Sequence, residues 1–291
     1  NAQTGTIAIG HEALTALTTG SGNIAIGYEA AKLMTDNTNN TIIGYQAFDA
    51  ADSGENDNVV IGYLAGSANN NASTDGNVLI GKNAGVGGTG LMNSCIYIGK
   101  NAGENTHGRN QYDNVFIGRG AAGVAFAGQS DNNVGIGSLA MGTGALNGAN
   151  YNVAVGFSAL TDLTTGDNNI GVGAWAGVNL TIGHHNVSVG YGALQAETVG
   201  NYSIAIGYRS LYSQTSDSDN ETTNNVAMGH ESGYYNVTGT GNTYIGSEAG
   251  KGASGQSNSS NTGIGSTALK AITTGASNVA VGSGAGAAIT T

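Results

Sequence analysis

The feature that most constrains the fold is a short repeat that runs through the whole chain. A glycine that has Ile, Val or Met one position before it and Ile, Val or Thr three positions before it recurs sixteen times among the 291 residues, at intervals of 17 to 19 residues with a single interval of 22. These glycines are Gly10, Gly27, Gly44, Gly62, Gly81, Gly99, Gly118, Gly137, Gly156, Gly173, Gly190, Gly207, Gly229, Gly246, Gly265 and Gly282. A constant short period predicts a solenoid, in which each repeat forms one turn and buries its apolar face on its neighbours.

Each repeat carries the same pattern around this glycine, which we call the motif glycine. Branched or apolar residues precede it by three positions and by one, as in Val153 and Val155, which is typical of a short strand. Three positions after it, fourteen repeats have Ala and two have Ser. A column of small residues that faces a column of branched residues indicates two short strands per turn, packed across a thin core. Four positions before it, thirteen repeats have Asn, and stacked Asn side chains can form ladders along a solenoid.

We therefore predict an all-β chain that forms a parallel β-solenoid, or β-roll, of about sixteen turns of 17–22 residues with two short strands per turn. Residues 1–291 are expected to form a single β-solenoid repeat domain. Neither end of the array shows a polar capping repeat, and an uncapped solenoid exposes a strand edge. The sequence therefore favours a domain excised from a longer fibrous protein.

The column two positions before the motif glycine is predicted to face outward, because successive residues of a strand point to opposite faces. None of its sixteen members is charged, and five large apolar residues follow one another on consecutive turns. An exposed apolar patch of this kind marks an interaction surface, so we expect the column to contact other copies of the chain. The predicted oligomer interface consists of Ile42, Val60, Leu79, Tyr97, Phe116, Ala154 and Ala205. The alternative is that uncharged residues are merely tolerated on the outside.

Charge and composition argue against several classes of protein. The net charge is −11 with only eight Lys and Arg residues, which leaves no basic surface for nucleic acid or an anionic membrane. No apolar run approaches the ~18 residues of a membrane helix, so no membrane insertion is expected. Acidic residues such as Asp162, Glu197 and Glu248 are scattered and do not indicate a catalytic pair. We predict no enzyme activity, no cofactor and no metal site, and whether the acidic loops bind calcium stays open.

Two segments carry a resemblance to known fibrous proteins. The sequences NIAIGYEA at 23–30 and NVAVGFSA at 152–159 resemble the head repeats of trimeric autotransporter adhesins. The longer ALTALTTGSGNIAIGYEA at 13–30 is similar to repeats of phage tail-fibre proteins. The resemblance implies a left-handed parallel β-roll that assembles as a trimer. This chain departs from the adhesin pattern in having a longer turn.

One outward column is a candidate ligand-binding surface. Directly after the motif glycine, six consecutive turns carry Tyr28, Tyr45, Tyr63, Lys82, Lys100 and Arg119. Sugar rings can lie on aromatic faces, and anionic groups pair with cations. Loops of variable length usually carry the binding function of a solenoid, so the longest interval adds Tyr208 and Tyr212 as candidates. The alternative is that stacked aromatic rings only stabilise the sheet face.

These features predict a structural and adhesive extracellular fibre segment that contributes to attachment to a host or surface. The resemblance implies a phage tail fibre or a bacterial adhesin, and hence a location on a virion or at the cell surface. The expected partners are other copies of the chain, with a homotrimer favoured, and a cell-surface glycan. Two alternatives stay open: a β-solenoid enzyme that degrades polysaccharide in the manner of a tailspike, and a subunit of an end-to-end extracellular filament.

Overall fold

The computed structural model describes residues 4–219 and 221–291. These residues form strands and turns without any helix, so the predicted all-β class is confirmed. The chain divides into two compact units, residues 1–150 (unit 1) and residues 151–291 (unit 2). Each unit contains its own run of eight parallel strands, which lie side by side in chain order.

Each repeat contributes one three-residue strand that ends directly before the motif glycine. In unit 1 these strands are β1 (Ile7–Ile9), β2 (Ile24–Ile26), β3 (Thr41–Ile43), β4 (Val59–Ile61), β5 (Val78–Ile80), β7 (Ile96–Ile98), β9 (Val115–Ile117) and β10 (Val134–Ile136). In unit 2 they are β11 (Val153–Val155), β12 (Ile170–Val172), β13 (Val187–Val189), β14 (Ile204–Ile206), β15 (Val226–Met228), β16 (Thr243–Ile245), β17 (Thr262–Ile264) and β18 (Val279–Val281). Unit 1 also contains a separate pair, β6 (Met92–Asn93) and β8 (Gln111–Tyr112).

Equivalent residues of successive repeats pair with one another in these sheets. Ala25 pairs with Ile42, for example, and Ile42 pairs with Val60. The parallel β-solenoid predicted from the repeat period is therefore confirmed. The structure differs in the second strand of each turn, because among the described repeats only β6 and β8 supply one. After the motif glycine, alternate residues have a positive φ, as at Glu29 (52°) and Ala31 (51°). An extended strand does not allow such backbone angles.

The inside and outside of the strands are the reverse of the prediction. In most strands the middle residue is buried and its two neighbours are partly exposed, as β4 shows. The residues predicted to form an oligomer interface are all fully buried within their own unit: Ile42, Val60, Leu79, Tyr97, Phe116, Ala154 and Ala205. The prediction that this column faces other copies is therefore wrong. Alternation defines two faces of a strand, but it does not say which face is inside.

The buried column shares the core with the residue four positions after the motif glycine, and in most repeats a large residue at one of the two positions goes with a small residue at the other. Gly85 stands six positions after the large Leu79, and a Cβ atom added to Gly85 would lie 2.6 Å from the Leu79 side chain. The arrangement is inverted at Gly171, whose added Cβ would lie 2.8 Å from Leu160. Because interiors are close-packed, this inverse relation of sizes identifies both columns as core.

A ladder of buried Asn side chains runs beside the strands, as the Asn column predicts. Oδ1 of Asn152 accepts hydrogen bonds from the backbone nitrogen of Asn169 at 2.9 Å and from its Nδ2 at 3.1 Å. Oδ1 of Asn169 accepts the equivalent two hydrogen bonds from the backbone nitrogen and Nδ2 of Asn186, at 3.0 and 3.2 Å. Where Ser203 interrupts the ladder, the side-chain amide of Gln214 donates a hydrogen bond to the Ser203 hydroxyl. The same amide accepts a hydrogen bond from Asn225, the next Asn of the ladder. The ladder thus gives buried polar groups the partners that they need.

Candidate functional site

The predicted aromatic column of unit 1 forms a continuous stack on the surface. His11, Tyr28, Tyr45 and Tyr63 lie with successive ring centroids 5.1, 5.0 and 5.4 Å apart and with planes within 13° of parallel. Tyr28, Tyr45 and Tyr63 are 41, 44 and 48% exposed. The in-register pairing of parallel strands places equivalent side chains about 4.8 Å apart, which explains the regular stack. The column therefore presents an aromatic edge to solvent.

Three cations continue this column on the next three turns. The Lys82 ammonium lies 5.3 Å from the centroid of Tyr63, which is a cation–π distance. Lys100 and Arg119 follow and are exposed. Within residues 4–219 and 221–291, no carboxylate forms an ion pair with any of these three cations, whereas Lys32, Lys251 and Lys270 are paired. Three of the eight Lys and Arg residues thus stand together without counter-charges in an acidic chain.

The flank of the aromatic stack, by contrast, carries two carboxylates that share one ammonium group. The Lys32 ammonium lies 2.6 Å from a carboxylate oxygen of Glu12 and 3.0 Å from one of Glu29. Hydrogen bonds from Gln46 and then from Lys32 lower the pKa of Glu29. The same carboxylates raise the pKa of Lys32 well above its usual range. The flank of the tyrosine stack therefore keeps one uncompensated negative charge, unlike the cationic part of the column.

The two candidate tyrosines of unit 2 lie in a second aromatic cluster. Tyr208 stacks on Tyr191 at 5.5 Å and on His230 at 5.3 Å, and Tyr212 stacks on Tyr234 at 5.0 Å. Arg209 joins the two stacks, because its guanidinium lies 5.2 Å from the ring centroids of both Tyr208 and Tyr212. Arg209 was not among the predicted residues, although its place next to Tyr208, on the same turn as Tyr212, was a visible signal.

The outer face of the strands is an apolar surface, and it lies on the two columns that were predicted to face the core. It consists of the first and third residue of each of the sixteen three-residue strands, and all of these are Ile, Val or Met apart from Thr41, Thr243 and Thr262. Most of them are half-buried by their neighbours, and some, such as Ile136 and Ile170, are exposed. No charged residue interrupts the two columns in any of the sixteen strands. Each unit therefore carries a continuous, uncharged stripe.

Two of the acidic residues that are scattered along the sequence, Glu197 and Glu248, have structural partners. Oε1 of Glu197 accepts hydrogen bonds from the backbone nitrogens of Thr198, Val199 and Gly200 at 2.8 to 3.1 Å. Glu248 lies 2.8 Å from the ammonium of Lys251 and 2.6 Å from that of Lys270, and hydrogen bonds from these two lysines lower its pKa to about 2. Both carboxylates therefore hold loops or neighbouring turns in place.

The part of the chain that the structure describes contains no cluster of three or more His, Cys, Asp or Glu side chains arranged to hold a metal ion. It also contains no helix with the length and apolar character needed to cross a membrane. No protein-family model, curated protein or solved structure matches the chain. Functional conclusions therefore depend on the geometry of the surface columns.

Proposed function

We propose that this chain is a structural and adhesive segment of an extracellular fibre, in which three copies associate side by side and the aromatic columns bind a cell-surface glycan. The observation that carries the proposal is the uncharged Ile and Val stripe on the outer face of the strands. A solenoid that only needed to be soluble would carry charged or polar residues at these positions.

The size of the stripe supports association between copies. With strands ~4.8 Å apart and ~3.3 Å per residue, eight three-residue strands cover roughly 38 Å by 10 Å, or about 400 Å² in each unit. The largest apolar patch of a whole soluble monomer is about 300–600 Å² and is often functional. This chain carries one such stripe in each unit.

A second copy of the same chain is the occupant that best fits the stripe. The net charge of −11 opposes contact between copies through most other surfaces, whereas the stripe carries no charge. A ring such as a trimer forms when one edge of the stripe on each copy packs against the opposite edge of the stripe on the next copy, because such head-to-tail contacts can close. The trimer is the assembly that the resemblance to adhesin heads and phage fibres implies, and either source places the segment on a cell surface or a virion.

The assembly is tested by placing charge on the stripe. In light scattering at micromolar concentration, we expect the unchanged chain to have about three times the 28.8 kDa mass of one copy. Ile61→Glu combined with Ile98→Glu should give monomers, because carboxylates would be buried without partners in an apolar contact. The matched control is Ile61→Thr with Ile98→Thr, which copies the Thr found at Thr41 and should keep the larger mass. An unchanged chain that is monomeric, or a Glu variant that keeps its mass, would contradict the assembly.

Adhesion is tested on the tyrosine stack. Tyr45→Ala removes the ring between Tyr28 and Tyr63 and should reduce attachment of the labelled protein to cells by roughly tenfold, because weak contacts repeated in three copies add up. Tyr45→Phe keeps the ring and should retain attachment. The control is Tyr151→Ala, which removes an exposed tyrosine that belongs to neither aromatic cluster. Equal attachment by all variants would mean that the segment is a spacer and that the receptor is bound elsewhere.

A further inference from the structure

The cationic end of the unit 1 column borders a pocket that the function proposed above does not yet use. The pocket has a volume of about 230 Å³ and is lined by Lys100, Asn101, Arg119 and Leu139, together with three glycines. Sites for drug-sized ligands have volumes of about 300–1,000 Å³. The pocket therefore has room for a single ring with its substituents rather than for a longer chain segment.

The two cations at the pocket are available to a ligand. Lys100 and Arg119 occupy the same position on consecutive turns, and both are exposed. The one side-chain partner found for Arg119 among the described residues is the Ser138 hydroxyl, at the long distance of 3.4 Å. The nearby carboxylate of Glu104 accepts a hydrogen bond from Asn83 and forms no ion pair with either cation in the described part of the chain. Two adjacent cations repel one another, so an anionic ligand between them is favoured.

A second, independent feature is an acceptor without a donor. Asn101 lines the pocket, and its Oδ1 is buried and has no hydrogen-bond partner in the structure. Leaving a buried acceptor unpaired is unfavourable. Rotation of the partly exposed Asn101 amide toward the pocket would let a ligand hydroxyl donate to this oxygen and remove the cost. The pocket thus combines donors for an anion with an acceptor for a hydroxyl group.

The glycines give the pocket its open floor. Gly120, Gly123 and Gly142 contribute backbone only, so no side chain fills the space between the two cations and Leu139. Leu139 adds an apolar wall. An apolar wall, cations and a hydroxyl acceptor in a space of this size match a sugar ring that bears both hydroxyls and an acidic group.

We propose that this pocket binds an acidic sugar residue, one that carries a carboxylate or a sulfate group, within a polysaccharide that continues along the tyrosine stack. The anionic group lies between Lys100 and Arg119, and a ring hydroxyl donates to Asn101 Oδ1. This inference rests on the proposed glycan-binding function and specifies its ligand class as an anionic glycan.

The ligand class is tested by titration calorimetry of the full chain with three hexasaccharides. These are an oligogalacturonate with carboxylates only, a carrageenan fragment with sulfates only, and neutral cellohexaose. We expect at least one acidic oligosaccharide to bind with a millimolar dissociation constant and the neutral one not to bind measurably. Which of the two acidic oligosaccharides binds shows whether the pocket takes a carboxylate or a sulfate group. Equal binding of all three, or no binding of either acidic one, would overturn the inference.

The location is tested with matched arginine variants. Arg119→Gln should weaken binding of the acidic oligosaccharide at least tenfold, as expected when one charge-assisted hydrogen bond is lost. Arg109→Gln makes the same change at an exposed arginine of unit 1 outside the pocket and should alter the dissociation constant less than twofold. Asn101→Asp should abolish binding, because it adds a negative charge where the anionic ligand would lie. Equal effects of Arg119→Gln and Arg109→Gln would place the site elsewhere.

Failure of this inference can be distinguished from failure of the proposed function. If cell attachment depends on Tyr45 while neither acidic oligosaccharide binds, the fibre binds a neutral glycan and only the pocket assignment is wrong. If acidic oligosaccharides bind through Arg119 while Tyr45→Ala attaches normally, the pocket assignment stands and the role of the tyrosine stack is wrong.

Discussion

Asn169→Leu is expected to lower the free energy of unfolding by about 3–6 kcal/mol, because it leaves two or three buried polar groups without partners at about 1–3 kcal/mol each. The backbone and side-chain nitrogens of Asn186 lose the Oδ1 acceptor. The carbonyl of Gly183 loses its Nδ2 donor, which now lies 2.8 Å away. Leu fills a similar volume but can replace none of these hydrogen bonds.

The measurement is urea denaturation followed by circular dichroism, with Asn179→Leu as the matched control. Asn179 lies in the same unit but is exposed, so its replacement should change the stability by no more than about 0.5 kcal/mol. A similarly small loss for Asn169→Leu would show that the ladder follows from the fold and does not stabilise it. The natural interruption of the ladder at Ser203 supports the larger effect. There the amide of Gln214 makes hydrogen bonds of the kind that an Asn of the ladder would make.

The sequence predicted the architecture because the repeat period is a property of the whole chain. The parallel register follows once equivalent residues stack, and the stacked geometry of Tyr28, Tyr45 and Tyr63 follows from that register. The Asn column predicted the ladder for the same reason. Features that depend only on repetition along the solenoid axis could therefore be inferred without a structure.

Features that depend on the cross-section of a turn could not be inferred in the same way. Tyr97 and Ile98 are adjacent and both apolar, and hydropathy does not reveal that Tyr97 is buried while Ile98 is partly exposed. The signal was in the pairing of sizes, since large residues such as Leu79 are followed six positions later by a glycine. Predicting the core correctly requires a comparison of the residue sizes in two columns. The lack of charge or the small size of the residues in one column does not show by itself whether that column is buried.

The candidate site was predicted in part for a related physical reason. Lys100 and Arg119 were visible in their column, but the pocket beside them depends on the backbone path of the turns. Asn101 has a φ of 60°, and the glycines that follow leave the space open. Arg209 was missed because it stands one position outside the column that contains Tyr208. Pockets between turns thus arise from loop conformation, which a pattern of residue types does not specify.

Gly173→Ala is expected to destabilise the chain by about 3–5 kcal/mol, through backbone strain and a steric clash together. Gly173 has a φ of 129°, which residues with a side chain rarely adopt. An added Cβ atom would lie 2.7 Å from the carbonyl oxygen of Gly190 in the next turn. Since that atom belongs to the backbone of a paired turn, it cannot rotate away, and the spacing between the two turns would have to change.

The matched control, Gly282→Ala, separates the two causes. Gly282 is also a motif glycine and has nearly the same φ, 127°, but an added Cβ atom there comes no closer than 3.9 Å to another atom, in Ala285. Its replacement should therefore cost only the strain, about 1–2 kcal/mol. Both variants can be compared by urea denaturation, with the oligomeric mass checked in parallel. If the two losses are equal, the motif glycine is selected only for its backbone angle. A larger loss at Gly173 would mean that close contact between successive turns requires glycine at this position in addition to its backbone angle.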